Sequence, residues 1–137
     1  MILTDASNRW NNTALLMLRL GFAFAMIYYH GWMKITHPEW WEGIGGAMGN
    51  LGITFAPKFW GFMQAFAETG CSALIAIGLF TRPAALILAF GLFVGTLVHL
   101  KTPEPNDEAN ILKALIVAIF FVIAGAGRYS VDARLRR

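Results

Sequence analysis

The chain has 137 residues, of which 57% are hydrophobic and only 14% are charged. An average soluble domain has roughly 25% charged residues, so this composition argues against a soluble domain and predicts a membrane protein in contact with the lipid bilayer. The formal net charge is +3 and the basic residues are scattered, which gives no reason to expect nucleic acid as a partner. A single domain, residues 1–137, is expected at this length.

Four apolar runs approach the length of a membrane span, at residues 13–33, 58–80, 83–100 and 110–125. A transmembrane helix needs about 17 to 25 residues, so the first two runs are long enough to span a membrane and the last two are short for a span. Pro83 suits the first turn of a helix, and Thr81 and Arg82 leave room only for a tight hairpin before it. The predicted fold is an all-α integral membrane four-helix bundle.

The connection between the first two runs, residues 35–57, does not resemble a plain loop. It contains Trp40 and Trp41, several glycines, and Ile44, Met48 and Leu51 at spacings of three and four residues. Tryptophan is enriched at membrane interfaces, and this spacing favours one apolar helical face. We therefore predict an interfacial amphipathic segment. Residues 101–109, with two prolines and three acids, are predicted to form a solvated loop.

The distribution of basic residues predicts the orientation. With four spans, both termini and the Arg82 turn share one side, which carries Arg9, Arg82, Arg128, Arg134, Arg136 and Arg137. The other side has lysines balanced by several acids. By the positive-inside rule, both termini are expected in the cytoplasm and the protein in a bacterial-type inner membrane.

Two opposite charges lie inside apolar runs, Arg19 in the first and Glu68 in the second. Arg19 shares a helical stripe with His30 and Lys34, and Gln64 and Glu68 share one on the second helix. Charged groups in the bilayer centre are costly and usually face the bundle interior, so we predict that Arg19 pairs with Glu68. Whether such a pair only fixes helix register or takes part in chemistry is left open by the sequence.

A rise of about 1.5 Å per helical residue places most of the remaining polar residues in the outer half of the bundle. The candidate catalytic residues are Glu68, His30 and His99, and the candidate ligand-binding residues are Arg19, Gln64, Lys34, Asn110 and Lys113. The alternative for the histidines is that they face lipid headgroups, and for the lysines that they reach the outer surface.

Cofactor signatures are weak throughout the sequence. No metal-binding spacing and no glycine-rich nucleotide loop is present, and Cys71 is the single cysteine, which excludes an internal dithiol. His30 and His99 lie at similar depth and could ligate a haem axially, but this is the weaker alternative. The sequence contains no clear cofactor-binding motif, although a quinone would suit a pocket formed by the predicted polar residues.

Several segments resemble the DoxX family: LRLG at 18–21, HGWMK at 30–34, FAETG at 66–70, GLFTR at 78–82 and GAGRYSVD at 125–132. The resemblance implies a small four-helix integral membrane protein. It also implies a link to sulfur and quinone chemistry, since the family name derives from relatives of a subunit of thiosulfate:quinone oxidoreductase. Other members are described as membrane partners in oxidative-stress or thiol-handling complexes.

A quinone headgroup needs hydrogen-bond donors at its carbonyls, a proton route and an apolar channel for its tail. The sequence therefore favours a quinone-associated redox membrane protein or subunit, which would act as a quinone-linked oxidoreductase. The expected partners are a membrane or soluble redox protein, or further copies of the chain in a homo-oligomer. One alternative is a non-catalytic scaffold or assembly subunit of a redox or stress-response complex. A second alternative is a small-molecule carrier.

Overall fold

The computed structural model describes the backbone of residues 2–102 and 107–136, and the side chains of 8–102 and 110–136. This part of the chain is helical and has no strand, which confirms the all-α class. The α-helices are α1 (Ile2–Met26), α2 (Trp32–Thr36), α3 (Trp41–Gly45), α4 (Pro57–Phe66), α5 (Ser72–Ile77), α6 (Thr81–Lys101), α7 (Asp107–Ala124) and α8 (Val131–Leu135).

Two continuous helical segments, Asn8–Thr36 and Thr81–Lys101, are long and apolar enough to cross a membrane, and Asn110–Ala124 is a shorter apolar helix. The first continues past the predicted residue 33 and ends where His37, preceding Pro38, leaves the helical conformation, because a residue before proline avoids that region. That four segments cross the membrane remains a prediction. Part of the predicted loop, residues 103–106, lies outside the described residues.

The second predicted span corresponds to α4 and α5, joined by the π-helical turn Ala67–Cys71. It ends at Ile77 because Gly78 adopts a left-handed conformation, with φ of 73°, which favours glycine at a helix end. Phe80 is also left-handed, and α6 starts directly after it at Thr81. A tight hairpin joins these helices as predicted, but its turn lies at Gly78–Phe80, and Thr81 and Arg82 belong to the first turn of α6.

The core lies where α6 packs against α7 and α5 packs against α1. Its fully buried large side chains include Ile75, Leu88, Leu92 and Phe121. Between them are many alanines, such as Ala84, Ala85 and Ala118, and small residues let membrane helices approach closely.

The segment between the first two runs folds onto α4. It forms the 3₁₀ turn Pro38–Trp40, then α3, then the 3₁₀ turn Gly46–Leu51. A side chain on Gly45 would overlap the Pro57 carbonyl, and one on Gly61 would overlap the Trp41 carbonyl. The two glycines thus allow the segment to pack backbone to backbone on α4, which makes it a wall of the bundle. Its predicted place at a membrane interface stays a prediction.

The chain end is tied to the hairpin between α5 and α6. The Asp132 backbone N–H donates to the Gly78 carbonyl at 2.8 Å. The Asp132 carboxylate accepts hydrogen bonds from the backbone N–H groups of Phe80, at 2.8 Å, and Thr81, at 3.0 Å. Asp132 therefore satisfies donors at the start of α6, where a negative charge is favourable.

Candidate functional site

Two π-helical turns face each other in the bundle. Ile27–Gly31 joins α1 to α2 and carries His30, and Ala67–Cys71 joins α4 to α5 and carries Glu68. Single π-helical turns inside α-helices are frequent at functional sites. A Cβ on Gly31 would lie 2.6 Å from Thr69 Cγ2 and 2.8 Å from the Glu68 carbonyl oxygen. Only glycine admits this close crossing, which brings the next turn of α2 alongside Glu68.

Glu68 is the buried acid of the site, with only 2% of its surface exposed. The Lys34 Nζ atom lies 2.8 Å from Glu68 Oε1 and 2.7 Å from Oε2. The Gln64 Nε2 group donates to Oε1 at 2.7 Å. Burying a charge is costly unless it is paired and hydrogen-bonded, and these contacts provide both. They hold a carboxylate in an otherwise apolar setting.

Oε2 of Glu68 is less well satisfied than Oε1. Although Lys34 is close to Oε2, no donor among the described side chains completes a hydrogen bond to it with suitable geometry. Buried polar atoms normally have a hydrogen-bond partner. Glu68 also lines a cavity, so this oxygen is available to a donor that enters from there.

Gln64 and Lys34 are themselves held in place by their surroundings. A Cβ on Gly91 of α6 would overlap the Gln64 side-chain oxygen, so the glycine makes room for the amide. The Trp41 indole N–H donates to the Lys34 carbonyl at 2.8 Å. Besides the two π-helical turns that cross at Gly31, residues of α3 and α6 thus help to position the polar groups around Glu68.

A cavity of about 330 Å³ adjoins this cluster. Its polar lining consists of Lys34, Gln64, Glu68 and His99. The apolar lining comes from α3 and the 3₁₀ turn after it, and from α4, α6 and α7; it includes Met48, Trp60, Met63, Phe90, Val94 and Ile111. Ligand sites are typically clefts of about 300 to 1,000 Å³ with mostly apolar walls and a few polar groups, and this cavity matches that description.

A second groove, of about 620 Å³, lies next to the cavity and contains His30. It is also lined by Tyr29, Met33, Glu39 and Trp40. Lys34, Gly43 and Ile44 line both spaces. Lys34 therefore stands between the buried carboxylate and the groove that holds His30, and its side chain is 27% exposed.

The predicted pair between Arg19 and Glu68 is not formed. Arg19 is buried, with 1% exposure, and its Nη2 group donates to the Tyr129 carbonyl oxygen. Its Nη1 atom lies where a side chain on Gly78 would be, and the nearby Asp132 attracts its charge. The helix crossing at Gly31 places Lys34 beside Glu68, whereas Arg19 binds the backbone of the C-terminal segment at Tyr129. The structure thus corrects the expected pairing.

Asn110 and Lys113 are also placed differently from the prediction. Both side chains are exposed and neither lines the cavity, whereas their neighbour Ile111 does. On a helix, residues three apart share a face, so the rotation of α7 turns both polar groups away together. Of the eight predicted site residues, five remain around the site: Lys34, Gln64, Glu68 and His99 at the cavity and His30 at the adjoining groove.

Sequence reasoning missed the two π-helical turns and the role of Lys34 as the partner of Glu68. The available signal was Gly31, directly after His30, because a glycine inside an apolar helix often marks a close helix crossing. Over the described residues, no group of three or more His, Cys, Asp or Glu side chains could hold a metal ion.

The described residues form a small all-helical protein with two helices long and apolar enough to cross a membrane, a buried acid paired with a partly exposed lysine, and a largely apolar cavity. This combination is typical of small helical membrane proteins. A sequence model of the DoxX family matches residues 14–100, more than half of the chain. The chain therefore belongs to the DoxX family and is a membrane protein. The match includes Lys34, Gln64, Glu68 and His99 but ends before α7, which contributes Ile111 to the cavity. No curated protein and no solved structure matches significantly.

Proposed function

We propose that this protein is a quinone-associated redox membrane protein in which the cavity beside Glu68 holds the quinone headgroup. The observation that carries the proposal is the buried Glu68, hydrogen-bonded to Lys34 and Gln64, at the wall of a mostly apolar cavity. The apolar lining suits a ring and an isoprenoid tail, and the polar groups suit the ring oxygens. Membership of the DoxX family adds the link to quinone chemistry that the sequence resemblance implies.

Each polar group has a distinct role in this proposal. Lys34 and His99, on the cavity wall, donate hydrogen bonds to the carbonyl oxygens of the ring. Glu68 takes up and releases protons, and Gln64 orients its carboxylate. A proton donor within hydrogen-bond reach is needed for efficient transfer, and the partly exposed Lys34 links Glu68 to the groove that contains His30. Protons are thus resupplied through this groove.

The electrons come from outside the chain. Two thiols and one quinone yield one disulfide and one quinol, so two electrons and two protons pass to the ring. The single Cys71 is buried and cannot form a disulfide within one chain. The donor is therefore a thiol or a reduced sulfur oxyanion, free or held by a partner protein. Sulfite with one water would give sulfate and quinol, and two thiosulfates with two protons would give tetrathionate and quinol.

The proposed setting is a bacterial-type inner membrane, crossed four times, with both termini in the cytoplasm. The clustering of arginines at the ends and at the turn before α6 supports this orientation under the positive-inside rule. In this arrangement His30 and His99 lie toward the outer leaflet.

The test is purification of the full chain in detergent, analysis of the extract for quinone, and measurement of quinone reduction with thiol, sulfite and thiosulfate. Glu68→Gln and His99→Ala are expected to lose most of the activity. Glu42→Gln is the matched control, because Glu42 is exposed and lines neither cavity. Unchanged activity in both cavity variants would overturn the catalytic proposal.

A scaffold subunit is the second candidate, because the pair between Lys34 and Glu68 joins two crossing helices and could serve register alone. In that case the cavity variants would lose folded yield or association with a partner, and no quinone would be reduced by the wild-type protein with any of the three donors.

A further inference from the structure

Three arginines surround a separate cavity at the other end of α6. This cavity, of about 430 Å³, lies where α6 begins and α7 ends, and its charged lining is Arg82, Arg128, Arg136 and Asp132. The quinone cavity contacts α6 only from Ile87 onward. The arginine cavity is therefore distinct from the site described above.

The cationic charge of this cavity is not neutralised within the described part of the chain. Both Asp132 oxygens already accept hydrogen bonds from the backbone of Phe80 and Thr81. Of the described side chains, only Lys34 and Glu68 come within salt-bridge distance of each other. No described carboxylate therefore forms a salt bridge with the three guanidinium groups, although Asp132 attracts Arg136 from a greater distance. The charged lining, three guanidinium groups and one carboxylate, carries an excess of positive charge.

The loop that lines the cavity between the arginines is rich in glycine and alanine. Gly125 and Gly127 have φ of 73° and 78°, and only glycine adopts this region readily. The Arg82 side chain lies against this loop. Its Nη2 group donates to the Ile123 carbonyl at 3.2 Å, and its Nε atom is 3.3 Å from the position that a Cβ on Gly125 would occupy. The uncharged lining consists of small residues, namely Ala124, Gly125, Ala126, Gly127, Ser130 and Ala133.

We propose that this cavity binds a phosphate group, carried by the headgroup of an anionic phospholipid. Guanidinium groups match phosphate oxygens with paired hydrogen bonds, and basic pockets between membrane helices bind anionic headgroups. Phe80, whose N–H donates to Asp132, and Ile123, whose carbonyl accepts from Arg82, have exposed side chains, at 61% and 73%. These side chains offer an apolar surface for acyl chains next to the arginines, which favours a lipid over a soluble phosphate.

The test uses the full chain in phosphatidylcholine nanodiscs and follows its thermal unfolding as phosphatidylglycerol is added. In a parallel series inorganic phosphate is added without the anionic lipid. Phosphatidylglycerol is expected to raise the unfolding temperature. Arg128→Gln and Arg136→Gln are expected to weaken its apparent affinity by about fivefold each, the effect of one basic residue near an anionic surface. Both side chains are exposed and can be replaced without disturbing the core.

Arg9→Gln is the matched control, because this exposed arginine lies at the same end of the predicted bundle and outside the cavity lining. It should leave the affinity unchanged. Stabilisation by inorganic phosphate alone, lost in the Arg128 and Arg136 variants, would support the site but assign it to a soluble phosphate. No stabilisation by either ligand, or equal weakening by Arg9→Gln, would overturn the proposal. Quinone reduction is not part of this test, so its outcome is independent of the proposed function.

Discussion

Lys34 and Glu68 form an ion pair in which the acid is buried and the base is partly exposed. The Lys34 Nζ atom lies 2.7 Å from Glu68 Oε2 and 2.8 Å from Oε1, and the exposed fractions are 27% and 2%. This asymmetry means that removal of the lysine leaves a charge without a partner in the interior. Removal of the acid leaves a lysine that can turn toward the groove beside it.

The two single substitutions should therefore differ in their effect on stability. Lys34→Met is expected to lower the free energy of unfolding by about 3 to 5 kcal/mol, as for a buried charge that loses its partner. Glu68→Gln is expected to lower it by about 1.5 to 3 kcal/mol, the value of a hydrogen bond to a charged group. Unfolding in detergent micelles measures both, with the exposed Lys58→Met as control. An equal or smaller loss for Lys34→Met would contradict this description of the pair.

The crossing at Gly31 can be tested with alanine. Gly31→Ala places a methyl group within 2.8 Å of the Glu68 carbonyl, and such overpacking costs about 1 to 3 kcal/mol. Gly21 has open space around its Cβ position, and Gly21→Ala should be neutral or stabilising by about 0.5 to 1 kcal/mol. Thermal unfolding of both variants decides the matter, and equal stability would show that the two π-helical turns are not in close contact.

Gly91→Ala should affect the ligand more than the fold. The added methyl group meets the flexible end of Gln64, which can move away but then loses its hydrogen bond to Glu68. We expect a stability near that of the wild type and weaker quinone binding, by about three- to tenfold for one hydrogen bond of about 1 kcal/mol. Quinone titration of the two proteins measures the change, and unaltered binding would argue against a role for Gln64.

Asp132 should make stability depend on pH. Burial raises the pKa of this carboxyl, but the hydrogen bonds from the backbone N–H groups of Thr81 and Phe80, with the attraction of Arg136, outweigh burial and lower it. A carboxyl whose pKa is lower in the folded state stabilises the protein above its unfolded pKa of about 3.9, and that stability is lost as pH falls through the folded pKa.

Asp132→Asn is accordingly expected to destabilise the protein at neutral pH by about 0.5 to 2 kcal/mol, the range for loss of a helix cap. Its unfolding free energy should also fall less between pH 7 and pH 3 than that of the wild type. Glu42→Gln, at an exposed position, should keep the wild-type slope. If the unfolding free energy of Asp132→Asn fell with pH as steeply as that of the wild type, the hydrogen bonds of Asp132 to the start of α6 would not be the source of the acid sensitivity.

Arg19 is expected to matter for the chain end and not for the site. Arg19→Met removes the hydrogen bond to the Tyr129 carbonyl and should expose residues 125–136 to proteolysis, while quinone binding per folded molecule stays the same. Mass spectrometry of limited digests gives the cleavage sites. A loss of quinone binding with an intact chain end would return Arg19 to the site, as its sequence position first indicated.

Several features could be predicted because they depend on local pattern. A tight hairpin before α6 follows from the close succession of two apolar runs around Thr81 and Arg82, although its turn lies at Gly78–Phe80. The contact between Gln64 and Glu68 follows from their spacing of four residues, one turn apart. The buried positions of Arg19 and Glu68 follow from their charge in apolar runs. All three are present in the structure.

The pairings between helices could not be predicted because they depend on rotation and depth. The π-helical turns at Ile27–Gly31 and Ala67–Cys71 each insert an extra residue into a turn, so face assignments made with 3.6 residues per turn drift beyond them. This is why Lys34, and not Arg19, reaches Glu68. The outward rotation of Asn110 and Lys113 is set by the packing of α7 on α6, which no single helix encodes.

The most direct test of the quinone proposal is fluorescence quenching by a short-tailed quinone, since Trp60 lines the cavity. The wild-type protein should show saturable quenching, and Trp60→Phe should lose that component. Glu68→Gln removes the carboxylate that holds Lys34 at the cavity and should therefore shift the titration to about tenfold higher quinone, as expected when one charge-assisted hydrogen bond from Lys34 is no longer held in place. Non-saturable quenching that is equal in all three proteins would mean that the cavity beside Lys34 and Glu68 does not bind quinone.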